Sequence, residues 1–124
     1  MILEASFLID LLADDPGAVA KLEEIADRHL RVPTLAYTEV AIGIDPTSDT
    51  GNRFDEIMDE ITLVSYGREE AKRAVDIQRT LASEGTPIGA IDAMIAGTAI
   101  ARDAVVVTRN VSEFRRTPVR VSPY

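Results

Sequence analysis

The segment that most constrains the fold is IGAIDAMIAGTAIARDAVVVTRNVSEF, residues 88–114. Residues 89–102 are apolar or small on nearly every side of a helix, which indicates a helix enclosed by protein rather than one with a solvated face. The valine run at 105–107 is typical of a short strand buried on both faces of a parallel sheet. A helix that leads directly into such a strand predicts an α/β fold.

One acidic residue, Asp92, interrupts this enclosed helix before Arg102. The positive end of the helix dipole stabilises a carboxylate in the first turn, but it offsets only part of the cost of burying an unpaired charge. Thr108, Arg109 and Asn110 follow the strand at the edge where open α/β sheets bind their ligands. The sequence therefore predicts a polar site at which a metal cation would balance Asp92.

Strands and helices alternate along the whole chain, which predicts a mostly parallel sheet of about five strands with helices on both faces. The predicted strands span residues 1–3, 30–32, 61–66, 105–107 and 118–121. Pro33 is expected to stop the second strand, and the last strand is expected at an edge of the sheet. The predicted helices span residues 7–12, with Ser6 as cap, 35–44, with Thr34 as cap, and 18–28, 53–60, 68–84 and 89–102. At 124 residues and 46% hydrophobic composition, we expect a single domain, residues 1–124.

The composition limits the kinds of site and location that the chain can have. It has no cysteine, which excludes disulfides and thiolate metal sites, and its single histidine, His29, cannot form a zinc site alone. A bound metal would be a hard cation held by oxygen. No basic, apolar leader opens the sequence, and no apolar run approaches the roughly 20 residues that span a bilayer. We expect a soluble, cytoplasmic protein.

The charge is unevenly distributed. The net charge is −8, yet residues 1–60 hold 14 acidic and 4 basic residues whereas residues 61–124 hold 7 and 9. A polyanion is expected to approach the second half. Arginine is strongly preferred to lysine, which is compatible with a salt-loving source or with a GC-rich genome, and the sequence leaves that choice open.

Three acidic residues share a predicted position at the carboxyl edge of the sheet. Glu4 ends the first strand, Glu39 lies in the helix after the second strand, and Asp92 begins the helix before the fourth. Three carboxylates at one place repel each other unless a divalent cation neutralises them. Asn110 could supply a fourth oxygen, and such ligands suit Mg²⁺ or Mn²⁺ acting on a phosphate.

Each acid also has an ordinary structural explanation. Glu39 could lie on a solvated helix face or pair with an arginine, Glu4 could simply end a strand, and Asp92 could cap its helix and pair with Arg109. Taken singly, these explanations are favoured. The shared position of the three acids favours the metal site.

The motifs ILEASFLIDLL, TEVAIG and IDAMIAGTAIARDAVVVTRNVSEF cover essentially the full chain and resemble PIN-domain ribonucleases, in particular the VapC-type toxins of toxin–antitoxin pairs. The third motif is the most specific. The resemblance implies a three-layer α/β/α sandwich and endonucleolytic cleavage of RNA dependent on Mg²⁺ or Mn²⁺. It also implies a homodimer and a cognate antitoxin whose tail blocks the site.

Several residues carry the resemblance directly. Glu39 and Asp92 match acids of the family, and Ser6 matches a small hydroxyl-bearing position near the site, with Thr108 at the adjoining strand end. The metal would lower the pKa of a water that attacks the phosphate, while Arg109 would help to stabilise the developing charge.

Two positions depart from the family pattern. Glu4 and Ala5 stand where the family ordinarily has Asp and Thr, and Asn110 stands where some relatives have Asp, with Glu113 nearby as a possible replacement. Glutamate is longer by one carbon–carbon bond, roughly 1.5 Å. The sequence alone predicts that Glu4 weakens cleavage and that Glu4→Asp restores it.

Two alternative functions follow from these observations. One is a catalytically weak or inactive PIN domain that binds RNA or an antitoxin without cutting, which the departures at Glu4 and Asn110 favour. The other is a receiver-like flavodoxin fold, which also clusters acids at strand ends. A receiver would need a lysine at the end of a late strand, and the only lysines are Lys21 and Lys72.

Overall fold

A computed structural model describes residues 1–124 and contains one sheet of five strands. The strands are β1 Ile2–Leu3, β2 Arg31–Pro33, β3 Thr62–Val64, β4 Val106–Val107 and β5 Val121–Ser122. They run in the order β3-β2-β1-β4-β5, and every neighbouring pair is parallel. The predicted α/β class with about five strands is confirmed, as is the edge position of the last strand.

Seven helices connect the strands. They are α1 Ala5–Leu12, α2 Pro16–Ile25, α3 Thr34–Ile42, α4 Asp49–Asp59, α5 Arg68–Ser83, α6 Ala90–Ala101 and α7 Val111–Arg115. Six of them match the predicted helices, whereas α7 was not predicted. None has the length and apolarity that a bilayer crossing requires.

Several helix ends differ from the prediction because side-chain caps determine them. Helix α2 begins at Pro16 because Asp15 accepts a hydrogen bond from the amide of Ala18 at 3.0 Å. Helix α4 begins four residues earlier than predicted because Ser48 accepts one from the amide of Gly51.

The N-cap residues of α1 and α3 differ from the predicted ones. The N-cap of α1 is Glu4 rather than Ser6, since the Glu4 side chain accepts a hydrogen bond from the amide of Ser6. The N-cap of α3 is Pro33 rather than Thr34, and no side-chain hydrogen bond caps that helix. Pro33 was predicted to stop β2 but is its last residue, in register with Val64.

The core lies around β1, β4 and the middle of α6. Both residues of β1 and both of β4 have no exposed surface. Helix α6 packs closely on α5 because Gly97 has no side chain, and a Cβ there would lie 2.6 Å from the backbone of Glu70 and Ala74. The enclosed helix predicted from the sequence is confirmed for residues 93–99, whereas Ile91 in its first turn is 38% exposed.

The strand order places the carboxyl ends of β1 and β4 side by side. It reverses between these two strands, and ligands of open α/β sheets bind in the crevice outside such a reversal. Receiver-like flavodoxin folds have the order 2-1-3-4-5 instead, so the order found here argues against that alternative. Glu4 follows β1 and Thr108 follows β4, at this reversal.

Candidate active site

Glu4 is fixed by three hydrogen bonds at the carboxyl end of β1. It is only 3% exposed, and its Oε2 accepts from the amide of Ser6 at 2.9 Å, the hydroxyl of Ser6 at 2.5 Å and the hydroxyl of Thr108 at 2.8 Å. No protein group donates a hydrogen bond to Oε1. The carboxylate is therefore held by one oxygen while the other is available to a ligand.

The hydroxyls of Ser6 and Thr108 join the ends of β1 and β4. Ser6 Oγ accepts a hydrogen bond from the amide of Arg109 at 3.0 Å, and Thr108 Oγ1 accepts one from the amide of Asn110 at 2.9 Å. A hydroxyl can donate and accept at the same time. Each one thus holds Glu4 on one side and the turn after β4 on the other, and both lie where the sequence analysis placed them.

Asp92 lies in the first turn of α6 without an ion pair or a hydrogen bond to its side chain. Burial, followed by the charges of Glu4 and Glu113, raises the pKa of Asp92 from 3.8 to about 6. The alternative in which Asp92 caps its helix and pairs with Arg109 is wrong, since Gly89 is the N-cap and Arg109 pairs elsewhere.

Glu39 is the most open of the three acids. Its side chain is exposed on α3, yet partial burial, followed by the charges of Glu4 and Asp92, raises its pKa above 4.5. Because Glu39 is exposed, water also reaches its carboxylate. No arginine or lysine pairs with Glu39, which removes one of its ordinary explanations.

Helix α7 brings Glu113 toward these acids. Glu113 lies in the first turn of α7, accepts a hydrogen bond from the hydroxyl of Ser112 at 3.1 Å, and is close enough to raise the pKa of Asp92. Asn110 is the N-cap of α7, but its side chain makes no capping hydrogen bond. The charge of Glu113 thus contributes to the raised pKa of Asp92, whereas the side chain of Asn110 has no contact that assigns it a role.

Arg109 does not point its charge at the acids. Its Nη1 lies 2.6 Å from Oδ1 of Asp10 on α1, and the hydroxyl of Tyr124 donates to Oδ2 of the same carboxylate at 2.6 Å. Neither Asp10 nor Tyr124 was predicted from the sequence to lie near the site. An aspartate between apolar residues in LIDLL was the available signal, but nothing local pointed to its partners.

The donor set fits a hard divalent cation in chemistry and charge. Glu4, Glu39 and Asp92 offer only carboxylate oxygens, and none of the three is neutralised by a basic side chain. No group of three acidic side chains lies close enough to enclose an ion by itself. Mg²⁺ commonly keeps several waters and binds one or two carboxylates, so these acids could hold it partly through water.

An apolar groove of about 430 Å³ runs beside Glu39. Its lining includes Ile9, Leu12, Val40 and Ile44 from the region of α1 and α3, and Ile9 is 49% exposed. A second cavity of about 440 Å³ lies between α5 and residues 116–118 and contains none of the predicted site residues. Of these two cavities, only the apolar groove is lined by one of the three acids, Glu39.

Comparison with known proteins gives matches that cover from about half to nearly all of this chain. A family model described as PIN domain matches residues 1–119. The tRNA(fMet)-specific endonuclease VapC of Salmonella typhimurium is 43% identical over 58 residues, 47% of this chain and 44% of that protein. Ribonuclease VapC of Rickettsia bellii is 33% identical over 90 residues, 68% of this chain and 67% of that protein. The crystal structure of DNA-bound VapBC from Salmonella typhimurium is 26% identical with a TM-score of 0.80, over 98% of this chain and 96% of that chain.

Proposed function

Because the chain belongs to the PIN domain family, we propose that it is an Mg²⁺- or Mn²⁺-dependent endoribonuclease and the toxin of a toxin–antitoxin pair. The observation that carries the proposal is that the charge of Glu4, at the strand-order reversal, contributes to the raised pKa of both Glu39 and Asp92, while none of the three acids has a basic partner. The names of the two curated relatives, an endonuclease and a ribonuclease, support the same reaction class.

The chain's own residues would prepare the site for a phosphodiester. A divalent cation there would activate a water and balance the phosphate charge. Ser6 and Thr108 orient the Glu4 carboxylate, and Glu39 and Asp92 would complete the ligand set. Arg115 and Arg116 lie exposed at the end of α7, beyond Glu113, and would attract RNA toward the site.

A cleavage assay on mixed RNA tests this function. We expect fragments with Mg²⁺ or Mn²⁺, no fragments with EDTA, and recovery when excess Mn²⁺ is added back. Heat-denatured protein at the same metal concentration controls for cleavage by the metal alone. Intact RNA under every metal condition would contradict the enzymatic proposal.

We further propose that a cognate antitoxin covers the apolar groove beside Glu39. The groove joins exposed apolar surface to an acid of the site, so a partner segment lying in it would be adjacent to the reacting groups. The VapBC composition of the Salmonella complex supports a partner of this kind. The same cleavage assay, repeated with the co-purified antitoxin, should show inhibition.

We also propose a homodimer, which rests on the family resemblance. Light scattering coupled to size-exclusion chromatography should give twice the 13.5 kDa mass of the chain. Measurement over a range of concentrations separates a stable dimer from weak association. A mass of 13.5 kDa at every concentration would contradict this proposal.

A second candidate is a PIN domain that binds RNA or its antitoxin with little or no cleavage. The spacing of the acids favours it, because no three of them are close enough to enclose an ion. This candidate predicts metal-independent RNA binding and no fragments in the assay above.

A further inference from the structure

Tyr124 reaches the site from the far edge of the sheet. It lies two residues beyond β5, and since β5 is parallel to β4, it emerges at the same edge as Thr108 and Glu4. Its hydroxyl donates to Oδ2 of Asp10 at 2.6 Å and lies 3.3 Å from the carbonyl oxygen of Ser6. The residues after β5 are thus attached to α1.

Asp10 joins Tyr124 to the turn after β4. Its carboxylate is 13% exposed and accepts from Tyr124 at one oxygen and from Arg109 at the other. The backbone amide of Arg109 in turn donates to Ser6 Oγ, and that hydroxyl donates to Glu4. A series of hydrogen bonds, connected through the side chain of Arg109, therefore leads from Tyr124 and Asp10 to Ser6 and the Glu4 carboxylate.

We infer that Tyr124 and Asp10 are positioning residues for Glu4, because Tyr124 holds Asp10 and Asp10 holds the guanidinium of Arg109, whose amide donates to the Ser6 hydroxyl. Arg109 serves this arrangement with both its side chain and its amide, and its cation is engaged by Asp10. Tyr124 and Asp10 lie outside the site proposed above. Their effect on catalysis therefore rests on the proposed function.

The hydroxyl and the ring of Tyr124 have separable contacts. The ring packs edge-on against Phe7, with centroids 5.2 Å apart and planes at 73°, and a phenylalanine would keep that packing. Burial, followed by the hydrogen bond to Asp10, raises the pKa of Tyr124 above its usual value, so the hydroxyl stays protonated and able to donate. Tyr124→Phe therefore removes the hydrogen bond with little change in the packing.

The test compares Tyr124→Phe, Asp10→Ala and their double variant with wild type. Tyr66→Phe is the matched control, since the Tyr66 hydroxyl has no hydrogen-bond partner in the structure. We expect each single variant to bind Mn²⁺ about tenfold more weakly by calorimetry and to lower kcat for RNA about tenfold, with KM within about twofold of wild type. The double variant should be no worse than Asp10→Ala, because both changes break the same series.

Amide hydrogen exchange of metal-free protein gives a readout that does not depend on catalysis. The Arg109 amide should exchange about tenfold faster in Tyr124→Phe and in Asp10→Ala than in wild type or Tyr66→Phe. If the Arg109 amide exchanges faster in the two variants but wild type does not cleave RNA, the positioning role stands and the proposed function is wrong. Unchanged exchange would overturn the inference, as would variants that alter only the melting temperature or only KM.

Discussion

Asp92→Asn is expected to lower kcat/KM for RNA cleavage by about 10³-fold while making the metal-free protein more stable. The substitution keeps the size of the side chain but removes the charge that would hold a cation. It also removes repulsion from Glu4 and Glu113, whose charges contribute to the raised pKa of Asp92. Loss of activity with a gain in stability distinguishes a functional acid from a structural one.

The sign of the stability effect follows from the raised pKa of Asp92. The pKa in the folded protein is about 6 against an ordinary 3.8, so between these values the folded state binds more protons than the unfolded state. Stability then falls as the pH rises through this window and stays lower above it. Because Asp92 is partly exposed, we expect only about 1 kcal/mol, or about 4 °C in Tm at pH 7.

The measurement is a set of thermal melts in EDTA between pH 4 and pH 8, paired with the cleavage assay. Asp76→Asn is the matched control, because Asp76 is exposed on α5 and has no ion pair. The difference in Tm between Asp92→Asn and wild type should grow from about pH 4 to pH 6, whereas Asp76→Asn should show no such growth. A destabilised Asp92→Asn protein at pH 7 would mean that the carboxylate has a structural role.

The sequence predicted the position of the acids better than the contacts around them. Glu4 follows the buried strand β1, and Asp92 begins the helix that leads into the buried strand β4. The apolar runs of both strands are visible in the sequence, and parallel strands bring their carboxyl ends to one edge. The acids could thus be grouped from the sequence alone. Helix α7 has only five residues, too few to show a hydrophobic period, so it was not predicted. The proximity of Glu113 to Asp92 therefore could not be predicted from the sequence either.

Contacts between residues distant in sequence could not be predicted in the same way. Tyr124 and Asp10 are separated by 114 positions, and neither belongs to a motif that indicates pairing. Their contact depends on the position of β5 beside β4, of which the sequence predicted only the place at an edge of the sheet. It also depends on the direction of side chains beyond the strand, which the sequence did not predict. For the same reason the sequence assigned the Arg109 cation to the phosphate, whereas the structure pairs it with Asp10.

The length of the Glu4 side chain is the point on which the structure most changes the expectation from sequence. Compared with the aspartate usual in the family, glutamate was expected to weaken the site. However, Oε2 accepts three hydrogen bonds at 2.5 to 2.9 Å from Ser6 and Thr108. Donors on both α1 and the end of β4 therefore meet the carboxylate at the distance that glutamate reaches.

Glu4→Asp is accordingly expected to lower cleavage about tenfold rather than to raise it, and to reduce Tm. Withdrawal of the carboxylate by roughly 1.5 Å leaves the amide of Ser6 within reach, since aspartate is a good N-cap. It moves the carboxylate away from Thr108, which comes from the neighbouring strand and cannot follow it. The contact between the ends of β1 and β4 then loses the buried, charge-assisted hydrogen bond from Thr108 to the carboxylate.

A double-mutant cycle with Thr108→Val decides whether this contact is the cause. Thr108→Val should impair cleavage by the otherwise wild-type chain but add little to Glu4→Asp, because the shortened side chain has already lost the threonine hydroxyl. Glu56→Asp, at an exposed position of α4, controls for shortening an acid elsewhere. Faster cleavage by Glu4→Asp would restore the expectation from sequence, since it would show that placing the carboxylate for the cation matters more than the bond to Thr108.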